Sequence, residues 1–285
     1  MGQSFGTVTI IGAGLLGASL GLALRTRGLA GRVRGVGHRQ SSLDAALAVG
    51  AADEVSLDAR AACAGADLIV ICTPANMVAA KLDEIRPVCA PDAVVTDVAS
   101  TKGRICAHAV ATWPAPRRFV GSHPMAGSEK FGAEYGDAGL YAGSVVIMEP
   151  SEGVAQDAYA TVRRLWECVG SRIAVMEPQR HDALVARTSH IPHIVAACLA
   201  ELADAAGDVR VVAGKGFRDV TRIAEGRPEL WRDICLTNRE SIVSGLDALS
   251  RRLDEVCAWV GSGSDASLEA FFEAARRARL RVIGE

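Results

Sequence analysis

The sequence predicts an α/β fold, with an N-terminal doubly wound parallel sheet over residues 1–176 and an all-helical C-terminal domain over residues 177–285. Three observations predict it. Short runs that are apolar on consecutive positions recur through the first half with helical stretches between them, as strands buried on both faces require. From about Gln179 onward such runs disappear and helical spacing takes over. The composition fits close packing: of 285 residues, 49% are hydrophobic but only 5% aromatic, so Ala, Val, Leu and Ile carry the core, with 29 glycines among them.

The elements follow in order. Thr7–Ile11 (TVTII) is a β-branched strand run, and Leu15–Arg27 is an apolar helical stretch. Val33–Val36 reads as a second strand, with a helix opening near Ser41-Ser42. Leu68–Cys72, Val94–Val98, Phe119–Gly121, Val145–Met148 and Ile173–Val175 continue the parallel pattern. Helices are expected between them at Asn76–Ile85, Lys102–Ala111 and Ala155–Val169. In the second half, Asp182–Ala206 has helical spacing that Pro192 must kink or interrupt. Pro228 reads as the first-turn proline of a helix running through Ile234, Ile242 and Leu246 to about Val260. Gly261–Ser264 breaks it, and Leu268–Arg279 forms a last helix.

Composition excludes several functions. With 31 basic and 33 acidic residues the chain lacks the basic excess of a nucleic-acid binder, and it is too apolar to be disordered. Eight cysteines, with no C-x-x-C among them, read as small buried hydrophobes in a reducing compartment, and no metal site is expected. Residues 2–24 carry no charge, but they lack the basic start of a signal peptide and are punctuated by glycines. No other segment is read as long and apolar enough to span a bilayer. The expectation is a cytoplasmic protein with no membrane and no nucleic-acid partner.

Gly12-Ala13-Gly14-Leu15-Leu16-Gly17 is a G-x-G-x-x-G placed directly after a strand and at the start of a helix. Gly12 permits the tight turn, Gly14 lets the backbone approach a pyrophosphate, and Gly17 lets helix and strand pack closely. The helix N-terminus offers free N–H groups to the phosphates. This context points to a Rossmann-like dinucleotide site; FAD, a methyl donor, or a turn without a ligand fit the glycines alone. Thr73 and Pro74, after the Leu68–Cys72 run, join the expected cofactor-binding set. At the end of the second strand, an acid would accept hydrogen bonds from the ribose hydroxyls of NAD. Gly35-Val36-Gly37-His38-Arg39-Gln40-Ser41 has none. His38, Arg39 and Ser41 instead suit a 2′-phosphate, so NADP is preferred over NAD. The plain alternative is that His38 and Arg39 are solvated loop residues.

His123 lies in Phe119-Val120-Gly121-Ser122-His123-Pro124-Met125-Ala126-Gly127, at the carboxyl end of a strand. Ligands bind at that edge of such sheets, and an imidazole there can accept a proton from a hydroxyl. On its own, a single histidine fits a structural role as well.

The stretch SHPMAGSEKFG, preceded by Asp97-Val98-Ala99-Ser100-Thr101-Lys102, resembles the prephenate/arogenate dehydrogenase (TyrA) family. Thr188-Ser189-His190-Ile191-Pro192-His193 and Gly216-Phe217-Arg218-Asp219-Val220-Thr221-Arg222-Ile223-Ala224 agree with it, as does Pro228-Glu229-Leu230-Trp231-Arg232-Asp233-Ile234. The resemblance spans almost the whole chain. It implies the oxidative decarboxylation of prephenate or arogenate in tyrosine synthesis, with NAD(P) accepting the hydride. It also implies a homodimer formed through the helical domain, and a small-molecule substrate.

The resemblance places the catalytic histidine on His123 and the serine that positions it on Ser100. Arg222 matches the arginine that binds a substrate carboxylate, His190 a second active-site histidine and Trp231 an aromatic lining the pocket. Each has a bland alternative. Ser100 suits a helix cap, Arg222 an ion pair with Asp219 or Glu225, and Trp231 the core. His193, three residues from His190, competes with it for the pocket, and Lys102 and Lys130 fit structural or solvated roles. Many members of the family carry an acid at the ribose position, and this chain does not. At this length no appended chorismate mutase or ACT domain is expected. Two rivals remain: a β-hydroxyacid-type dehydrogenase, which relies on a lysine in its helical domain where this chain has only Lys215, and a non-catalytic NADP-binding sensor.

Overall fold

The computed structural model describes residues 4–127 and 130–284. The TVTII run forms β1 (Thr7–Ile11), followed by α1 (Leu15–Thr26), β2 (Arg32–Val36), α2 (Gln40–Ala48), β3 (Glu54–Ser56), α3 (Ala59–Cys63) and β4 (Leu68–Ile71). Next come α4 (Ala75–Ile85), β5 (Val94–Asp97), α5 (Gly103–Thr112) and β6 (Phe119–Val120). These six strands form one sheet in the order β3-β2-β1-β4-β5-β6, every pairing parallel. The chain winds outward from β1 to β3 and then returns to place β4 on the other side of β1. That reversal is the topological switch point, and it opens a crevice at the carboxyl ends of β1 and β4.

Alternate strand residues face opposite layers. Val8, Ile10 and Val70 pack with Leu20 and Leu24 of α1, while Ile11, Ile69, Ile71 and Val95 pack with Val78 and Leu82 of α4 and Ile105 of α5. All are at most 3% exposed, so the sheet is apolar on both faces, as the continuous apolar runs require.

Two sequence expectations need correction here. Val145–Met148 and Ile173–Val175 do not extend the main sheet. They lie in β8 (Val145–Met148) and β9 (Arg172–Val175), which with β7 (Ser122–Pro124) make a separate three-stranded sheet. β7 pairs antiparallel with β8, and β8 pairs parallel with β9. The transfer between sheets happens at Gly121, where a Cβ would stand 2.5 Å from Cys106 Sγ. Only a residue without a side chain passes that close to α5, and the next residues enter the new sheet. α6 (Gln156–Cys168) follows β8 and buries Leu165 and Trp166 against the first core. The three-residue β3, which the sequence reading omitted, is too short to show periodicity.

The helical part begins with α7 (Pro178–Val185). A π turn over Ala186–His190 leads into α8 (Ile191–Ala205). Pro192 therefore sits in the first turn of α8, where a missing N–H costs nothing, and the π turn takes up the interruption. α9 (Lys215–Thr221), a 3₁₀ turn over Arg222–Glu225, α10 (Pro228–Thr237), α11 (Arg239–Ser262) and α12 (Asp265–Ile283) complete the chain. The single helix expected from Pro228 to about Val260 is thus two, broken at Asn238 (φ −117°, ψ 32°), whose side chain is needed elsewhere.

The chain divides into two compact units, one ending at Arg239 and the other starting at Glu240. Within the second, Trp259 and Phe271 meet with ring centroids 6.0 Å apart, and Arg252 lies over both rings. The run Pro178–Ala205, 28 residues long, holds an 18-residue window of mean hydropathy 1.2, enough by length and composition to cross a membrane, contrary to expectation. Its polar members His181, Asp182 and His190 are buried in the first unit. Cys198 and Cys257 are exposed rather than buried, and all eight cysteines are free.

Candidate active site

The glycine turn lies at the switch point. Gly12 adopts φ +109°, and a Cβ there would come within 2.6 Å of the Cys72 carbonyl. At Gly17 a Cβ would meet Gly12 O at 2.0 Å, which is the helix–strand approach the motif demands. Around Gly14 a Cβ would meet nothing within 4 Å, so the backbone faces open space. Gly14 is the N-cap of α1, which has no side-chain cap and no acid in its first turn, and Leu15 and Leu16 open the helix half-buried. Across the crevice, Thr73 Oγ1 is buried with no hydrogen-bond partner among the described residues, and Pro74 is the N-cap of α4. Free N–H groups, an open backbone and an unpartnered hydroxyl fit the pyrophosphate of a dinucleotide.

At the end of β2, His38, Arg39 and Ser41 are all exposed. Arg39 is the N-cap of α2, which also lacks a side-chain cap and a first-turn acid. Among the described residues no carboxylate pairs with Arg39, whereas the guanidinium of Arg34 on β2 is tied to Glu54 at 2.6 Å.

His123 is the central residue of β7 and is half-buried. Its strand is locked from beneath. Ser122 Oγ donates to Asp97 O at 2.6 Å and accepts from Trp166 Nε1 at 3.0 Å. The buried ammonium of Lys102 contacts Asp97 Oδ2 and donates to Ser122 O at 2.8 Å. His123 Nδ1 lies 2.8 Å from His181 Nε2, and His181 Nδ1 lies 2.8 Å from Asp182 Oδ1. Burial holds the His123 pKa well below its ordinary value, and His181, Lys102 and His190 push it the same way. The imidazole is therefore neutral at physiological pH and available as a hydrogen-bond acceptor.

Ser100 is half-buried just beyond β5 and does not cap α5. Asp182 does so instead: its carboxylate accepts from Lys102 N at 2.7 Å and Gly103 N at 2.8 Å. Lys102 is thus structural, 2% exposed, and holds the strand that carries His123.

On the helical side, His190 ends the π turn and is 1% exposed. Its Nδ1 lies 3.2 Å from Asn238 Nδ2, which also donates to Asp182 O at 2.8 Å. Burial lowers its pKa to about 4. His193 stacks on Trp231 with centroids 3.3 Å apart, and His190 meets the same indole edge-on at 6.2 Å. The two histidines do share a face, and both turn it to Trp231. His193 Nε2 is buried without a partner among the described residues. Gly226 leaves room for this stack, since a Cβ there would reach Trp231 Nε1 at 2.3 Å and His193 Nε2 at 2.6 Å.

Arg222 is exposed, and among the described residues it makes no ion pair; Asp219, one suggested partner, is tied to Lys215 at 2.5 Å. That Lys215 is 87% exposed and engaged in this pair. Lys130 lies over the Tyr135 ring, and Ser128 and Glu129 of the same motif fall outside the described residues.

Sequence reasoning missed His181, Asp182 and Asn238. Only Asn238 left a trace, as a residue that favours helix ends standing inside an assumed helix.

Known proteins give the same picture. The description "Prephenate dehydrogenase, nucleotide-binding domain" matches residues 20–175, and "Prephenate dehydrogenase, dimerization domain" matches residues 177–274. The prephenate dehydrogenase of Bacillus subtilis is 30% identical over 97% of this chain and 76% of its own length. The cyclohexadienyl dehydrogenase of Zymomonas mobilis is 30% identical over 98% of this chain and 96% of its own. The crystal structure of A. aeolicus prephenate dehydrogenase, in complex with hydroxyphenyl propionate and NAD+, superposes with a TM-score of 0.89 at 28% identity, covering 99% of each chain. With both domain descriptions matched in order along a sheet and helices of the same architecture, the chain belongs to the prephenate dehydrogenase family.

Proposed function

We propose that this protein oxidatively decarboxylates prephenate or arogenate in tyrosine synthesis, with a nicotinamide dinucleotide as hydride acceptor. The observation that carries this reading is a neutral His123, held beside the carboxyl end of β5 by the bonds of Ser122 to Asp97, with no partner on Nε2 among the described residues. Gly12, Gly14, Leu15, Leu16, Gly17, Thr73 and Pro74 would hold the pyrophosphate end of the cofactor. Bound there, the cofactor supplies the acceptor for the hydride of the hydroxyl-bearing ring carbon. His123 accepts the hydrogen bond, and then the proton, of that hydroxyl, which favours its passage to the ketone level. The ring carboxylate leaves as carbon dioxide, and aromatisation makes the reaction effectively irreversible. Arg222, exposed and without an ion pair among the described residues, would bind a substrate carboxylate, a task its planar fork suits. His190, His193 and Trp231 form the aromatic wall, and Ser100 positions His123.

Exposed and without an ion pair among the described residues, Arg39 supports NADP as the favoured cofactor, with His38 and Ser41 beside it. A cofactor domain over 1–176, a substrate and dimerisation domain over 177–285, and a cytoplasmic homodimer complete the reading. The test follows reduced cofactor spectrophotometrically with prephenate and arogenate, each with NAD and NADP. Turnover in at least one combination is expected, and its loss by roughly 10²–10⁴ in kcat in His123→Asn, with cofactor affinity kept. No turnover in any combination refutes the proposal.

A further inference from the structure

We propose that His181, oriented by Asp182, fixes the tautomer of His123 so that Nε2 is the bare, hydroxyl-accepting nitrogen; His181 is a positioning residue, and the proposal rests on the dehydrogenase reading above.

The proton positions follow from the acceptors. Asp182 takes backbone N–H groups on both carboxylate oxygens, Lys102 on Oδ1 and Gly103 on Oδ2, so it acts as an ionised acceptor. The contact between its Oδ1 and His181 Nδ1, at 2.8 Å, therefore has His181 Nδ1–H as the donor. In a neutral His181 the remaining nitrogen, Nε2, is then a lone pair. That lone pair lies 2.8 Å from His123 Nδ1, which must carry the proton between them. His123, also neutral, is left with a bare Nε2. Reverse the chain, with His181 donating from Nε2, and His123 becomes an Nε2–H donor that cannot accept a substrate hydroxyl. The ring planes stand at 83°, so the contact also limits rotation of the His123 imidazole. The same chain puts the Asp182 charge two hydrogen bonds from any positive charge that develops on His123 during proton transfer.

The test has a readout independent of substrate. Histidine side-chain ¹⁵N spectra of the intact wild-type enzyme near pH 7.5 should show His123 protonated at Nδ1 and bare at Nε2; an Nε2–H tautomer overturns the proposal. Kinetically, His181→Leu should lower kcat by roughly 10²-fold with KM little changed. His181→Gln keeps an amide oxygen that can accept from Nδ1–H, and it should recover about tenfold of that loss. Equal losses in the two variants, or wild-type kcat in His181→Leu, overturn it, and should His181→Leu not fold, the wild-type spectra still decide. Absence of turnover in the wild type would refute the dehydrogenase reading while leaving the spectral answer intact.

Discussion

The backbone N–H of Lys102 donates to Asp182 Oδ1 across 2.7 Å, although 80 residues separate the two in the chain. The same residue's ammonium is buried against Asp97 and donates to Ser122 O. Lys102 thereby ties β5, β7 and α7 together, and Asp182 completes the N-terminus of α5 from outside the sheet. Removing that carboxylate strands two N–H groups in a buried place. Asp182→Ala should lower the unfolding free energy by about 3 kcal/mol, combining a lost cap with unsatisfied donors. Urea denaturation measures it, and a loss below about 0.5 kcal/mol would show that the cap is dispensable.

Arg39 should discriminate between the cofactors. A charge-assisted contact to a 2′-phosphate is worth about 1.5–3 kcal/mol, so Arg39→Ala should raise the Kd for NADP roughly 10–100-fold. The Kd for NAD should move little, as it has no phosphate there. Fluorescence titration with both cofactors decides; a parallel change in the two would remove Arg39 from the ribose site.

Arg222 and Lys215 face opposite fates. Losing the carboxylate anchor, Arg222→Gln should raise the substrate KM roughly 10–100-fold with a smaller effect on kcat. Lys215 already satisfies Asp219 on the surface, and Lys215→Gln should leave both constants near wild type. Steady-state kinetics on the pair of variants checks this, and the reverse ranking would favour the lysine-dependent rival.

Acidification should weaken the fold through its buried histidines. His190 titrates near 6.5 in the unfolded chain and at about 4 when folded. Between those values the unfolded state binds the extra proton and the native state does not, so stability falls as pH drops. It is untouched above 6.5, and the loss is complete near 4, at about 3 kcal/mol for this residue. His123 acts in the same direction. Urea midpoints at pH 7.5 and 4.5 should drop more steeply for the wild type than for His190→Gln. Equal slopes would mean that His190 does not contribute.

The glycine turn was legible because its pattern is local: three glycines within six residues, between an apolar strand and a helix. β1, β4 and β5 were legible for a similar reason, since burial on both faces leaves an apolar run, whereas β2 (RVRGV) carries Arg34 at its centre and lacks one. β8 and β9 were legible as strands but not as members of a second sheet. Their half-buried runs look alike in either place, and the divergence depends on Gly121, where a Cβ would stand only 2.5 Å from Cys106 Sγ. The break at Asn238 was hidden because the apolar spacing continues past it, while the residue itself is drawn out of the helix by Asp182 O and His190.

By itself the sequence determined the doubly wound sheet and the glycine turn at its first strand, read from residues that are neighbours in the chain, and through its family resemblance it offered His123 as a candidate acceptor. Only the tertiary structure decided how His123 is held. His181 and Asp182 follow it by nearly sixty residues, in a helix whose pattern advertises nothing but an ordinary polar first turn. Hydrogen bonds form between groups that folding brings within 3 Å, and no periodicity along the chain encodes which distant groups those are.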